Sequence, residues 1–458
     1  MNPNRFHDAA PAVEDVLHSS VNPADVHSSI AKHMLVDVLD FVVDLERSEG
    51  AYIYDSMTNR RFLDFFTFVA SMPIGMNHPK MRTPDFLEKL TRAAVNKPTN
   101  SDAYTVELAD FVEAFADLAM PVSHPYLFFV EGGALAVENA LKAAFDWKIR
   151  RNFANGYKEE RGTQIVHFQR AFHGRSGYTL SLTNTDPSKT DLFPKFRWPR
   201  ISNPAVRFPL TPANLAAVSE AEATALGQIL EAIRKNPDDI AAIIIEPIQG
   251  EGGDNHFRKE FFVDLRKIAD EHGIMLIFDE VQTGVGLTGR MWAFQHFVEP
   301  DMVVFGKKTQ VCGFMSSRRI DEVPDNVFNV PSRLNSTWGG NLVDMVRSER
   351  YLEIIHEEHL VENARVVGDY LQARLRELAD DFPQLVGNAR GLGLFCAIDV
   401  RTPDDRLLLR NKAYSKGLVV LGSGERSIRF RPPLSIQRQE VDEGIGILRE
   451  SLMEMSGK

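Results

Sequence analysis

The stretch Phe305–Phe314 reads FGKKTQVCGF and sets two adjacent lysines, Lys307 and Lys308, between the apolar run MVVFG and a glycine. Lysine pairs are usually solvated, but an amine that closes an apolar strand is desolvated, which lowers its pKa and makes it nucleophilic. Two other stretches offer complementary chemistry. In IMLIFDEVQTGVGLTG the carboxylates of Asp279 and Glu280 follow a buried run, where an acid is costly without a cationic partner. Side chains alternate along a strand, so only one of the two enters a pocket. In YLFFVEGGALAVENALKAAFDW two glycines feed an amphipathic helix, and the N–H groups of Gly133 and Ala134 at its start suit a phosphate, although a glycine turn is also an ordinary way to begin a helix. A lysine, a buried acid and an anion site together suggest pyridoxal phosphate.

These residues need a frame. Short apolar or β-rich runs occur at Tyr126–Val130, Gln164–Phe168, Ile240–Glu246, Ile274–Phe278 and Met302–Phe305, with helical patterns between several of them, such as AVENALKAAFDWKIRR and RKEFFVDLRKIADEHG. Runs apolar on both faces predict a sheet covered on both sides, and the alternation predicts an α/β domain with a mostly parallel sheet. Ligands bind such sheets beyond the carboxyl ends of the strands, where the residues singled out above lie. After SRLNSTWGGN the pattern turns to long helices and then to strands at LFCAIDV and SIRFRPP, which predicts a separate, smaller α+β domain. The expected division is an N-terminal segment, residues 1–78, packing with the small domain; a large domain, 79–343; and the small domain, 344–458.

Composition narrows the function. The 458 residues are 44% hydrophobic and 25% charged, the balance of a soluble protein of two or more domains. No apolar run suits a membrane span, and the opening MNPNRFHDAAPAVEDV lacks the features of a secretory leader, so a cytoplasmic location is expected. Two cysteines make no disulfide framework or zinc knuckle, and no metal is expected. A net charge of −11 argues against a nucleic-acid surface, so an anionic substrate must be held by a few local arginines. Gly284, Gly286 and Gly289 match a dinucleotide fingerprint, but DEVQT separates the strand from the first glycine. A nicotinamide-dependent oxidoreductase is therefore the reading from a different class.

The motifs EGGALAVEN, FHGRSG, EPIQGEGG, FDEVQTGVGLTG, PDMVVFGKK, STWGGN and IRFRPPL, in this order, resemble the class III, fold-type I pyridoxal-phosphate aminotransferases over nearly the whole chain. The resemblance implies a large doubly wound domain, a small mixed domain and a homodimer with active sites at the interface. It selects Lys307, six positions beyond Asp301 and directly after Gly306, as the amine that bonds to the cofactor and shuttles a proton, leaving Lys308 as polar decoration. It assigns Asp279 to the pyridinium nitrogen, Gly133, Ala134 and Thr337 of the partner subunit to the phosphate, Phe172 to the ring face and Gln282 to the phenolic oxygen and the substrate region.

For substrate, the resemblance is greatest to the branch acting on the terminal amine of L-lysine, with 2-oxoglutarate as acceptor and L-glutamate as a product. It implies that Arg175 holds the distant carboxylate of an ω-amino acid, that Arg429 clamps the α-carboxylate of the keto acid, and that Glu251 neutralises Arg429 while lysine reacts. Spacing alone does not separate Arg429 from Arg431, two residues on. Two departures from the common family pattern, GGALAVE in the phosphate loop and KTQVCGF after the lysine, both resemble that branch. Ornithine, 4-aminobutyrate and 2,4-diaminobutyrate remain as rival donors, since each methylene of arm length is worth only about 1 kcal/mol. Lys307→Ala is expected to abolish the visible absorbance of the lysine-linked cofactor and Lys308→Ala to keep it, as read from the spectra of the two purified variants.

Overall fold

The computed structural model describes residues 21–37 and 39–457; the opening stretch read for a leader lies outside them. In chain order the strands are β1 (Tyr52–Asp55), β2 (Arg60–Asp64), β3 (Tyr126–Val130), β4 (Gln164–Phe168), β5 (Arg200–Ile201), β6 (Ile240–Ile245), β7 (Ile248–Gln249) and β8 (Asn255–His256). They continue with β9 (Met275–Asp279), β10 (Met302–Phe305), β11 (Cys312–Ser316), β12 (Val386–Leu392), β13 (Phe395–Val400), β14 (Leu418–Val419), β15 (Leu421–Ser423) and β16 (Ser427–Phe430).

The central sheet has the order β3-β11-β10-β9-β6-β4-β5. Its strands are parallel except β11, which runs against both β10 and β3. Strand β6, IAAIII, is buried at every residue, as a parallel strand covered on both faces must be. One cover is the helix Gly133–Ala154, which buries Ala136, Val137, Ala140, Leu141, Ala144 and Trp147 along one side. The helix Lys259–Glu271 buries Phe261, Phe262, Leu265, Ile268 and Ala269, a stripe at the 3.6-residue period. Strand β11 was not expected from the sequence. Its residues, CGFMS, are buried throughout, so they show no alternation, and the glycine weakens the strand signal further.

The helices Leu342–Glu357 and Leu360–Asp381 lead to an antiparallel sheet of order β12-β13-β16-β15, and the helix Arg438–Ser456 ends the described chain. A further small sheet joins the chain ends, with β2 between β1 and β14 and Leu63 opposite Leu418. Residues before and after the central sheet thus share one hydrogen-bonded layer. Among the described residues no helix is long and apolar enough to cross a membrane.

Where the helix Leu360–Asp381 crosses the β12–β13 turn, the backbones touch. A Cβ on Gly368 would lie 2.1 Å from the carbonyl carbon of Gly393, and one on Gly393 would lie 2.5 Å from that of Thr288. A Cβ on Gly446, in the helix Arg438–Ser456, would meet nothing within 4 Å. Gly368→Ala is therefore expected to cost about 1–3 kcal/mol or more, whereas Gly446→Ala should stabilise by about 0.4–1 kcal/mol; denaturant unfolding of the two variants checks both.

Candidate active site

The carboxyl ends of four central strands converge. Asp279 closes β9, Glu246 follows β6 directly, Phe172 and His173 lie a few residues past β4, and Lys307 lies two residues past β10. Alternation separates the acidic pair. The buried Asp279 carboxylate lies 2.8 Å from His173 Nδ1 and accepts the Val281 N–H at 3.1 Å. Glu280 turns to the other side and accepts the N–H groups of Ala293 and Phe294 at 2.6 and 2.8 Å and the Thr283 hydroxyl at 3.2 Å, so it fastens the following loop. That loop contains the GVGLTG run, but no long helix opens at Gly289; only the short 3-10 turn Ala293–His296 follows. The strand, turn and helix that a dinucleotide fingerprint requires are not formed there.

Lys307 begins a 3-10 turn and holds φ 53°. Burial and then the Arg429 charge push its amine down to about 8, while Asp279 and Glu246 oppose the shift. Lys308 differs from expectation. It is not surface decoration: it is 2% exposed, and its amine donates to the Gln282 carbonyl at 2.7 Å. The turn carries the second lysine inward, where the carbonyls of Gln282 and Ala70 replace part of its lost hydration.

Glu246, the first acid of EPIQGEGG, is a site residue the sequence reading passed over. Its carboxylate accepts the N–H groups of Phe172 and Gly250, each at 2.9 Å, and so fixes the backbone beneath the half-buried Phe172 ring. Burial raises it to about 7, with the nearby Asp279 adding to the shift. His173 was likewise missed; both lay inside quoted motifs, and only the packed strands show that they face Asp279.

The two candidate arginines part company. Arg431, 1% exposed, donates to Asp254 Oδ1 at 2.5 Å, to Gln282 Oε1 at 3.3 Å and to the carbonyls of Phe430 and Cys396 at 2.8 and 3.2 Å. Its guanidinium also lies 3.3 Å over the Phe395 ring. Arg429, 6% exposed on β16, leaves Nε and Nη1 buried without a partner among the described residues. Arg431 is committed to structure, and Arg429 has donors to offer. Glu251, expected to neutralise Arg429, instead bonds Lys189 and stands 3.4 Å from the Thr185 hydroxyl. In this structure the partly exposed ammonium of Lys189 is the cation that Glu251 meets.

At the start of the helix Gly133–Ala154 no side chain caps the first turn, and Gly132 holds φ 97°. Its leading N–H groups are free of a side-chain acceptor, as an anion site requires. Arg175 and Thr337 are exposed on the single chain. Opposite the lysine turn, Thr67, Phe68, Val69 and Ala70 all hold positive φ, from 41° to 64°. Left-handed L residues cost roughly 1–2 kcal/mol each, so this run must be held from outside. The buried Asp64 carboxylate does part of this, accepting the N–H groups of Phe66 and Thr67 at 2.8 and 2.7 Å.

With this geometry in place, comparison with known proteins is decisive. The model of the family "Aminotransferase class-III" matches residues 34–452. The chain belongs to the class III aminotransferases. It is 56% identical over 432 residues to the L-lysine-epsilon aminotransferase of Mycobacterium tuberculosis, covering 94% of this chain and 96% of that one. The Amycolatopsis lactamdurans protein of the same name is 49% identical over 93% of this chain and 95% of its own length. A solved lysine aminotransferase from M. tuberculosis, in its internal aldimine form, superposes with TM-score 0.92 at 55% identity, covering 94% of this chain and 99% of that one.

The chain is thus a transaminase dependent on pyridoxal 5'-phosphate, with the α/β fold-type I architecture. Its residues fit that cofactor: a desolvated amine, a buried carboxylate and an uncapped helix start occupy one edge of the sheet. Removal of Asp254 would leave the buried Arg431 unpaired beside Arg429 and Arg390, whose charges also act on that carboxylate. Asp254→Ala is expected to cost about 3–5 kcal/mol in urea unfolding, against a smaller loss for Asp254→Asn.

Proposed function

We propose that this aminotransferase moves the ε-amino group of L-lysine to 2-oxoglutarate in two half-reactions, giving L-glutamate and 2-aminoadipate 6-semialdehyde, which cyclises. The observation that carries the acceptor half is Arg429, a buried guanidinium with two unpartnered nitrogens whose charge acts on Lys307. A keto-acid carboxylate supplies the acceptors that these donors lack, in the bidentate geometry guanidinium favours. L-lysine as donor is supported by the 48–56% identity to proteins named L-lysine-epsilon aminotransferase.

Bound pyridoxal phosphate supplies an electron sink for the carbon that loses its proton. Lys307 takes and returns that proton, a task suited to an amine with a pKa near 8. Asp279, oriented by His173, would hold the ring nitrogen protonated. Gly133 and Ala134 would offer backbone N–H groups to the phosphate, joined by Thr337 of the partner subunit in a homodimer, and Phe172 would cover the ring. Gln282 would serve the phenolic oxygen and the substrate. Arg175 takes the distant α-carboxylate of lysine. Glu251 shields Arg429 during the lysine half-reaction only if it leaves Lys189. The large domain, 79–343, and the small one, 344–458 with the N-terminal segment, close on this site.

An amine-donor panel with 2-oxoglutarate tests the reading. L-lysine is expected to exceed ornithine and 4-aminobutyrate about fivefold or more in kcat/KM, as one or two methylenes allow; preference for either rival by that margin rejects lysine. In the same assays Arg429→Ala should slow the 2-oxoglutarate half-reaction about 10–100-fold, the worth of a charged hydrogen-bonded contact, while leaving the lysine half-reaction nearly intact.

A further inference from the structure

Two strained backbone turns face each other in the site. Thr67–Ala70 hold φ from 41° to 64°, and on the catalytic turn Lys307 and Gln310 hold positive φ too, at 53° and 59°. None of these is glycine, so neither turn is one its own residues prefer, and each persists only if its surroundings hold it. Gln310 joins the two. Its amide nitrogen donates one hydrogen to the Ser71 carbonyl at 2.8 Å and lies 3.1 Å from the carbonyl of Lys307 itself. Lys308 adds a second tie, with its amine 3.4 Å from the Ala70 carbonyl and 2.7 Å from that of Gln282. At its other end the left-handed run is fastened by the Thr67 hydroxyl, which donates to the Arg431 carbonyl at 2.7 Å. The Arg431 N–H returns a bond to the Phe65 carbonyl at 2.8 Å.

We propose that Gln310, assisted by Lys308, is a positioning residue that straps the left-handed turn Thr67–Ala70 to the backbone of Lys307, so that the direction of the Lys307 amine depends on the N-terminal segment. The strap crosses 239 residues of sequence and joins the segment that pairs with β14 to the turn after β10. It rests on the reading of Lys307 as the amine that engages the cofactor. Since both turns are strained, loosening either releases the other, and a small rotation at Lys307 is enough to spoil the approach of its amine to the reacting carbon.

Spectra of the holoenzyme test this. A lysine-linked cofactor has a visible band whose pH midpoint reports the geometry and surroundings of that linkage. Gln310→Leu keeps the net charge and removes both donors. It is expected to shift the midpoint by about half a pH unit, to speed hydrogen exchange at amides 67–72 about tenfold and to lower kcat about tenfold, with KM for the amine donor nearly unchanged. Thr67→Val loses only the side-chain bond to the Arg431 carbonyl; it is expected to move the midpoint in the same direction. Faster exchange with the midpoint unmoved in both variants would make the strap structural only and overturn the proposal. A wild-type holoenzyme whose band survives Lys307→Ala would overturn the reading beneath it, and the two failures are told apart by which variant alters the band.

Discussion

An ionised group taken out of water must be paired, hydrogen-bonded or pushed toward neutrality, and that demand organises the centre of this protein. Some charges there have partners within the fold, although Arg431 keeps its buried Nε without one among the described residues. Arg431 is bonded to Asp254, Gln282 and two carbonyls, Lys308 donates to the Gln282 carbonyl, and Glu280 accepts from two backbone N–H groups. Others are left open. Lys307 is held near a pKa of 8 by burial and the Arg429 charge, and Arg429 keeps two nitrogens without a partner. The answered charges make the walls; the open ones are the groups proposed to meet an aldehyde cofactor and a carboxylate substrate.

The sheet delivers each of these groups from a different strand, so the site depends on tertiary order. Strand β11 has the largest consequence. It runs antiparallel beside β10, with Gly313 opposite Phe305, and the chain must reverse within a few residues of Gly306. A Cβ on Gly313 would fall 2.1 Å from the Phe128 carbonyl, so that glycine is dictated by close approach of backbone, and one on Gly306 would fall 2.9 Å from Cys312 Sγ, a contact that would push the thiol aside. The tight reversal is what sets Lys307 at positive φ and sends Lys308 beneath it.

Much of the frame was legible because its signals are local. The runs YLFFV, QIVHF and MVVF coincide with β3, β4 and β10, and the stripe of Phe261, Phe262, Leu265 and Ile268 marks its helix. Strand β9 begins one residue later than the run suggests and ends on Asp279 itself, the register that turns this acid, and not Glu280, toward His173. What was not legible depends on partners far away in sequence. Glu246 and His173 sit in quoted motifs, yet nothing in either motif says that the two converge on one pocket edge with Asp279. Glu251 meets Lys189 in this structure, a contact for which neither residue carries a local signal.

The sequence by itself determined the chemistry on offer: an amine closing an apolar strand, an acid ending a buried one, and a glycine-led helix start, each a consequence of residue type and period within a few positions. Only the tertiary structure decided how those groups are shared out. Arg429 and Arg431 are equivalent by alternation, but β16 ends at Phe430, so Arg431 leaves the sheet for Asp254 while Arg429 stays with free donors. The physical reason is that alternation states which side a residue faces, whereas the energy of a buried charge depends on which acceptors the rest of the fold brings within about 3 Å of it.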